Sequence, residues 1–483
     1  MNNKSLRYLY LTIAFILGFF IGGKWNIPLA AWLAPIFVIR FFRESDKAGR
    51  NFLLLWIASA VPSIISWQGG TFFPPVGEAL FFLALAPLSL LPYVIDRMYY
   101  HRFGSTAWLT LIYPIAATAV DYFSANGPFG TFGAVGYTQR GFLPVMQIAS
   151  ITGIWGITFV MSWFASLVNH FWDKKPAPLS WTFAGALALI LSLSLGRTLL
   201  PTQPEQTANI VGFSLPNGTI SSMMKLHQGE DETEFRKATD ELNAQQLEQV
   251  RVFAQDGANI VVLQEGAIIG MSDQIETVMQ EAAIIAKEEN IYIVLPTFDL
   301  GKTPAVNSVH IIDPNGDVAL THVKYGGNMF EGTLKGDEIL QSIDTPYGKL
   351  SAVICWDADF PNIIKQAGEQ DVDLLFIPSN DWLGVRDIHA GMSTFRAVEN
   401  GMSIFRQTGQ GVSIAADVYG KVLSHTDTFE ETTDGFAGIQ KVDMPIGSVN
   451  TLYPKLGDSL GYVTLLGLMG LFIGIFVTRK IKK

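Results

Sequence analysis

The sequence predicts two fold classes in one chain, a membrane α-helical bundle and a mixed α/β sheet domain. Three observations carry this. Apolar residues are concentrated in residues 8–200 and again in 458–478. Residues 207–446, between them, have the mixed composition of a globular domain. Within that stretch, apolar runs of strand length alternate with amphipathic runs of helix length. Over 483 residues the chain is 49% hydrophobic and 16% charged, too apolar to be wholly soluble and too long for one ordinary domain. It divides at 1–206, 207–450 and 451–483. Net charge is −10 and the α/β stretch carries no basic stripe, which argues against a nucleic-acid partner.

Eight stretches approach the roughly 20 residues that cross a bilayer. They are 8–23, 27–42, 51–67, 75–95, 106–123, 145–171, 179–200 and 458–478. The first resembles a signal peptide in length, but no small-residue cleavage site follows, so a retained span is expected. Lys and Arg of the short loops gather on one side: Lys4, Arg7, Arg40, Arg43, Lys47, Arg50, Arg97, Arg102, Lys174, Lys175, Arg479, Lys480, Lys482 and Lys483. The other side holds little more than Lys24 and Arg140. The positive-inside rule then puts both termini in the cytoplasm and the α/β domain, after seven spans, outside it. Cytosolic cofactors such as ATP would be out of its reach. Glu78 and Asp121 fall in or at the ends of spans. Intramembrane carboxylates are functional candidates by default; contact with interfacial water is an equally good expectation. The glycine- and aromatic-rich loop 127–139 is expected to face the α/β domain, as an interfacial loop or as a wall of a lipid-access site.

In the α/β domain, strands are expected at 210–215, 258–263, 291–296, 306–312, 318–323, 350–354, 373–378, 403–407 and 411–416. Helices are expected at 232–254, 272–289, 361–369 and 388–400. Asp313-Pro314-Asn315-Gly316-Asp317 is a hairpin turn between two of the strands.

Cys355 is the single cysteine. It has no internal disulfide partner and cannot alone build a thiolate metal site. It is therefore an inert core thiol, the commoner outcome, or a nucleophile. Its neighbourhood favours the second. The apolar run Leu350–Ile354 ends at the cysteine, and Pro361 suits the first position of a following helix. A strand-to-helix corner exposes a nucleophile to substrate. Glu265 and Lys324 also stand at the ends of apolar strands, and such ends converge on a crevice in an α/β sheet. A carboxylate can take the thiol proton, and an ammonium can stabilise a thiolate and an oxyanion. Each charge alone reads as a surface group; the three together read as a catalytic kit. His310, His322 and His389 are scattered and form no serine–histidine–acid set. His322 shares a strand face with Lys324 but is expected outside the site. No His-Glu-x-x-His spacing is present, and no metal is expected.

Glu265, Lys324 and Cys355, each at a strand end in this order, resemble the nitrilase (carbon–nitrogen hydrolase) superfamily. Cys355-Trp356-Asp357-Ala358-Asp359-Phe360-Pro361 is similar to its nucleophile segment. Together with the flanking spans, the chain resembles the apolipoprotein N-acyltransferase family. Residues 147–156, Pro216-Asn217, Ser379-Asn380-Asp381-Trp382, 396–401 and 451–458 share in that likeness. The resemblance implies a nitrilase-like αββα sandwich for the extracytoplasmic domain, and no cofactor. It implies a phospholipid acyl donor, a cysteine thioester, a lipidated apolipoprotein acceptor and the bacterial inner membrane. It makes Cys355 the nucleophile, Glu265 the base and Lys324 the oxyanion partner. Glu331, Trp356, Asp357, Asn380 and Trp382 become accessory or substrate-positioning residues. The sequence departs from the family pattern in four places. Gln264 stands for a proline, Trp356 for a tyrosine and Asp357 for a glutamate. The segment from Lys324 to Cys355 is short, with residues 325–332 replacing the family's Pro-Phe-Gly-Glu stretch. That shortening motivates an alternative: a membrane-anchored amidase with water or another acceptor. A non-catalytic membrane scaffold is the third and weakest reading.

Overall fold

The computed structural model describes residues 3–173, 176–200, 206–229, 231–430, 432–433 and 435–480. The chain forms two compact units. One comprises Met1–Gly127, Thr131–Leu200 and Leu456–Lys483; the other comprises Pro128–Gly130 and Pro201–Lys455.

The first unit is helical, with Asn3–Gly18, Pro28–Arg43, Ala48–Ser66, Pro75–Phe103, Ile112–Ala125, Ala149–Trp172, Pro178–Arg197 and Ser459–Lys480 as its longer helices. Among the described residues four are long and apolar enough to cross a membrane: Ala48–Ser66, Pro75–Phe103, Ala149–Trp172 and Pro178–Arg197. Pro28, Pro75 and Pro178 open their helices, where a missing N–H leaves no intrahelical bond unmade. The stretch expected as 106–123 begins instead as a 3₁₀ turn, Ala107–Leu111, and Gly153, at φ 63°, bends Ala149–Trp172. Trp155 Nε1 donates to Asp458 Oδ1 at 2.8 Å, joining two of the family-like stretches. Lys174, Lys175, Lys482 and Lys483 lie outside the described residues.

Glu78 and Asp121 do not reach out to water; both are buried. Glu78 accepts the Gly69 and Thr71 N–H groups at 2.8 and 3.0 Å. Asp121 accepts Val135 N–H at 3.1 Å and the Thr158 hydroxyl at 2.7 Å. Each carboxylate satisfies backbone that a turn would otherwise leave unpaired in an apolar surrounding.

Among the described residues the second unit has sixteen strands: β1 (Gln206–Ser214), β2 (Ile260–Leu263), β3 (Ile268–Gly270), β4 (Tyr292–Asp299), β5 (Val306–Ile312), β6 (Val318–Val323), β7 (Ile343–Thr345), β8 (Gly348–Ala352), β9 (Leu374–Phe376), β10 (Ser379–Asn380), β11 (Ser403–Arg406), β12 (Thr408–Gly409), β13 (Val412–Ala416), β14 (Val422–Asp427), β15 (Thr432–Thr433) and β16 (Phe436–Ile446). One sheet has the order β15-β16-β1-β2-β4-β5-β6, with β3 beside β4; the other has β14-β13-β11-β9-β8-β7. β10 pairs with β12 in a separate two-stranded sheet.

Strand periodicity turns these sheets into four layers. In β1, Ile210 packs between the sheets with Val262, Leu350, Phe376 and Phe405. Its neighbours Val211 and Phe213 point the other way, onto Leu247 and Val250 of helix Glu232–Gln255 and Ala282 of helix Ser272–Glu289. In the second sheet, Leu374 and Phe376 face inward, while Leu375 packs with Ile364 and Ala397 of helices Pro361–Glu369 and Arg386–Asn400. The order is helix, sheet, sheet, helix. The segments that follow β2, β8 and β9 meet: Glu265 N–H donates to Ser379 O at 3.3 Å and Cys355 N–H to Pro378 O at 2.8 Å.

Candidate active site

Cys355 stands at a sharp corner. β8 ends at Ala352, earlier than the apolar run suggested. Val353 N–H still donates to Phe376 O at 3.0 Å and Cys355 N–H to Pro378 O at 2.8 Å, so the segment stays extended alongside β9. At Cys355 φ turns to 45°, in the left-handed region that costs a residue bearing a Cβ. The chain then forms a 3₁₀ turn, Cys355–Asp359, and enters helix Pro361–Glu369.

Glu265 follows β2, and its Oε1 accepts Asn307 Nδ2 at 2.8 Å and Lys324 Nζ at 2.6 Å. Asn307, on β5, also accepts Lys324 N–H through its carbonyl at 2.9 Å, so one residue anchors both charges. Lys324 is 1% exposed. Its Nζ lies 2.5 Å from Glu331 Oε1, at the end of the short helix Asn328–Glu331. Burial opposes the Lys324 charge, but Glu265, the Cys355 thiolate and Glu331 hold its pKa well above the ordinary lysine value. Burial pushes the Cys355 thiol up and Glu265 pushes it further, while Lys324 and His389 pull it down without cancelling the rise. The balance favours the thiol over the thiolate, and as a nucleophile this sulfur would call for a base.

Asp357 is fully buried. One oxygen accepts the N–H groups of Tyr325 and Gly326 at 2.9 and 2.6 Å. The other accepts Ile354 N–H at 3.0 Å and pairs with His322 Nε2 at 2.8 Å. His322, expected outside the site, therefore supports it directly, because its strand face leads to the same crevice as Lys324. Trp356 lies in an aromatic stack, with ring centroids 5.7 Å from Phe330 and 6.3 Å from Phe129. Asn380 offers its carbonyl to Cys355 Sγ at 4.0 Å. Trp382 is half-buried just beyond it, with its carbonyl accepting Val385 N–H at 3.0 Å.

His389 is the residue that sequence reasoning set aside and the fold brings in. A ring nitrogen of His389, Cys355 Sγ and a carboxylate oxygen of Asp381 lie within 4.8 Å of one another. His389 Nδ1 is 2.8 Å from Asp381 Oδ1, and Nε2 is 3.3 Å from Asp359 Oδ2. Arg406 Nη2 donates to both Asp381 oxygens at 3.0 Å. Asp359 and Asp381 sit inside the two segments that the sequence singles out. The missing signal was spatial: His389 joins them only when helix Arg386–Asn400 packs against the Cys355 turn. A thiolate, imidazole and carboxylate could hold a metal ion in principle. Here Asp381 is committed to Arg406, and a cation would have to displace a buried guanidinium. The cluster is a charge network rather than a metal centre.

Residues 205–448 match the family model for carbon–nitrogen hydrolases. Residues 9–167 match the apolipoprotein N-acyltransferase N-terminal domain. The chain is 25% identical to an apolipoprotein N-acyltransferase of Pasteurella multocida, over 90% of this chain and 89% of the relative. It is 21% identical to one of Geobacter metallireducens, over 79% and 77%. An N-carbamoylputrescine amidase of Solanum tuberosum is 28% identical over 27% of this chain and 50% of its own. Among solved structures, an amidase from Nesterenkonia sp. is similar over 51% of this chain and 93% of its own, at 16% identity and a TM-score of 0.40.

Proposed function

The chain belongs to the carbon–nitrogen hydrolase family, and on that premise we propose that it works as an apolipoprotein N-acyltransferase. It moves an acyl chain from a phospholipid, through a thioester on Cys355, to the N-terminal amino group of a diacylglyceryl-cysteine lipoprotein. One observation carries this reading: an apolipoprotein N-acyltransferase N-terminal domain and a carbon–nitrogen hydrolase domain share one chain. Relatives of that name match it over most of their length.

The reaction runs in two halves. Glu265 takes the Cys355 proton, and the sulfur attacks the ester carbonyl of the donor. Lys324, 2.6 Å from Glu265, stabilises the oxyanion as charge moves onto oxygen. The C–O bond breaks, Glu265 returns the proton to the leaving alkoxide, and a lysophospholipid departs. The acceptor amine then attacks the thioester, Glu265 takes one of its protons, and the C–S bond breaks as the amide forms. The proton restores the Cys355 thiol. Glu331 holds the far side of Lys324, Asp357 fixes both segments of the site, and Trp356, Asn380 and Trp382 line the approach of substrate. No step as written draws on a metal or organic cofactor.

Both substrates live in a bilayer, so the site must open near one. We read the chain as a multi-pass protein of about eight spans in the bacterial inner membrane, with both termini cytoplasmic and the catalytic domain outside. The four long apolar helices support the membrane part, and the one-sided distribution of Lys and Arg in the short loops supports the orientation. Mass spectrometry of lipoprotein N-termini in a strain depleted of this protein tests the reading. N-acylation is expected to disappear, and to return with the parent chain but not with Cys355→Ala. Unchanged N-acylation after depletion would favour the amidase, to which the likeness is shorter.

A further inference from the structure

Cys355 has a second set of charges beside it, which the mechanism above does not use. We propose that His389 is a positioning residue for the nucleophile: held as an imidazolium between Asp359 and Asp381, it is the second fixed positive charge that steadies the Cys355 thiolate, alongside Lys324. This deepens the reading of Cys355 as nucleophile and rests on it.

Geometry argues the protonation state. Nδ1 is hydrogen-bonded to Asp381 Oδ1 at 2.8 Å, and Nε2 lies 3.3 Å from Asp359 Oδ2, at ion-pair distance without hydrogen-bond alignment. A neutral imidazole has one lone pair, and here either nitrogen that carried it would lie beside an anion. Arg406 Nη2 also lies 3.1 Å from Nδ1, but it donates to both oxygens of the same Asp381 carboxylate. The two cations share an anchor. The location otherwise disfavours a cation, because His389 is buried and sits in the first turn of helix Arg386–Asn400. The paired carboxylates must supply what the location does not.

Charge counting agrees. With His389 protonated, the cluster of Asp359, Asp381, Arg406 and His389 sums to zero; with it neutral, a negative charge is stranded next to the sulfur. On the other flank, Lys324 is shared between Glu265 and Glu331. That trio is net negative when both carboxylates are ionised, so Lys324 alone does not offset a thiolate, and a His389 cluster that is neutral rather than negative keeps the other flank from adding to the repulsion. Asp357, buried beside this group, is paired with His322 and adds none. Already protonated, His389 cannot act as the base, and that role stays with Glu265. The electrostatic link is direct: both Lys324 and His389 lower the energy of the Cys355 thiolate against burial and Glu265.

The chain has one cysteine, so thiol alkylation reports on this site alone. The full chain in detergent is treated with iodoacetamide across a pH series and read by intact mass; the S–C bond forms and iodide leaves. In His389→Gln the pH midpoint of alkylation is expected to rise, and the rate near neutral pH to fall about tenfold, the equivalent of one pKa unit. His389→Lys, which restores a positive charge, is expected to recover part of the loss. A His389→Gln profile superimposable on the parent's, with unchanged thermal unfolding, overturns the proposal. Where His389→Gln fails to fold, Asp359→Asn decides. Loss of one carboxylate lets the imidazolium titrate at lower pH, and a new bend in the alkylation profile is expected; a parent-like profile again overturns it. Alkylation needs no lipid or lipoprotein, so this inference can fail while acyl transfer stands, and the reverse.

Discussion

The Asp357 carboxylate accepts the Gly326 N–H at 2.6 Å, and this bond ties the segment after Lys324 to the turn that carries Cys355. Gly326 has no room for a side chain there: a Cβ would come within 2.9 Å of the Trp356 carbonyl. The same carboxylate holds Ile354 N–H and His322, so one buried charge sets the spacing between the ammonium and the sulfur.

Asp357→Asn is therefore expected to do more than remove a charge. An amide presents a donor where only donors face it, and His322 loses its partner. Breaking one member of a buried charged network typically costs about 3–5 kcal/mol. Thermal unfolding is expected to fall accordingly, with faster proteolysis after Lys324. A variant with parent stability and parent activity would contradict the bridging role.

The two carboxylates on Lys324 are not equivalent. Glu265 is buried, while the Glu331 side chain is about a third exposed, at 32%. Burial raises the Glu331 pKa, against the pull of Lys324. Glu265→Gln is expected to slow acylation of Cys355 by about 10²–10⁴-fold, the usual worth of a positioned base. Glu331→Gln acts only through Lys324 and is expected to cost about tenfold. Single-turnover acylation rates separate them; equal losses would make Glu331 a partner in proton transfer.

His389 gives the stability of the α/β unit a pH slope of known sign. Burial alone would lower its pKa, but Asp359 and Asp381 carry it well above the ordinary histidine value. The stabilisation is then complete below the unfolded pKa, about 6.5, and is lost as pH rises through the folded one. The unfolding midpoint of the parent is expected to decline with pH above about 6.5 more steeply than that of His389→Gln. Parallel slopes would remove His389 from the charge network.

Gly130 offers a test through the backbone. Its φ is 57°, and a Cβ there would meet the Asp359 carbonyl oxygen at 2.4 Å. Gly130→Ala is expected to destabilise by about 1–3 kcal/mol through strain at φ > 0 and close contact. Because Asp359 faces His389, Cys355 alkylation should slow as well. Loss of stability with an unchanged alkylation rate would separate Gly130 from the site.

How much of this was legible in the sequence depended on whether the signal was local. Helices Ser272–Glu289 and Pro361–Glu369 and strands β5 and β6 fall at their expected bounds, since each is an unbroken periodic run with turn residues at its ends. β16, the longest strand, was not expected. Lys441 and Asp443 alternate with Val442, Met444 and Ile446 as a half-buried strand should, but Gly438 and Pro445 are poor strand formers and mask the run; it is specified by pairing with β1, from Gln206 opposite Ile446 onward. Glu265, Lys324 and Cys355 could be read because each is polar at the end of an apolar run. Asn307 and His389 could not. Asn307 is one polar residue inside a strand, and His389 lies in a helix whose buried face shows only after it packs.

The most direct measurement is a search for an acyl chain on the single cysteine. The purified chain is incubated with phospholipid vesicles and the peptide carrying Cys355 is analysed by mass spectrometry, before and after neutral hydroxylamine. A fatty-acyl mass is expected on that peptide, removed by hydroxylamine and far slower to form in Glu265→Gln. An acyl group on any other residue, or lipoprotein N-acylation that persists in Cys355→Ala, would contradict it.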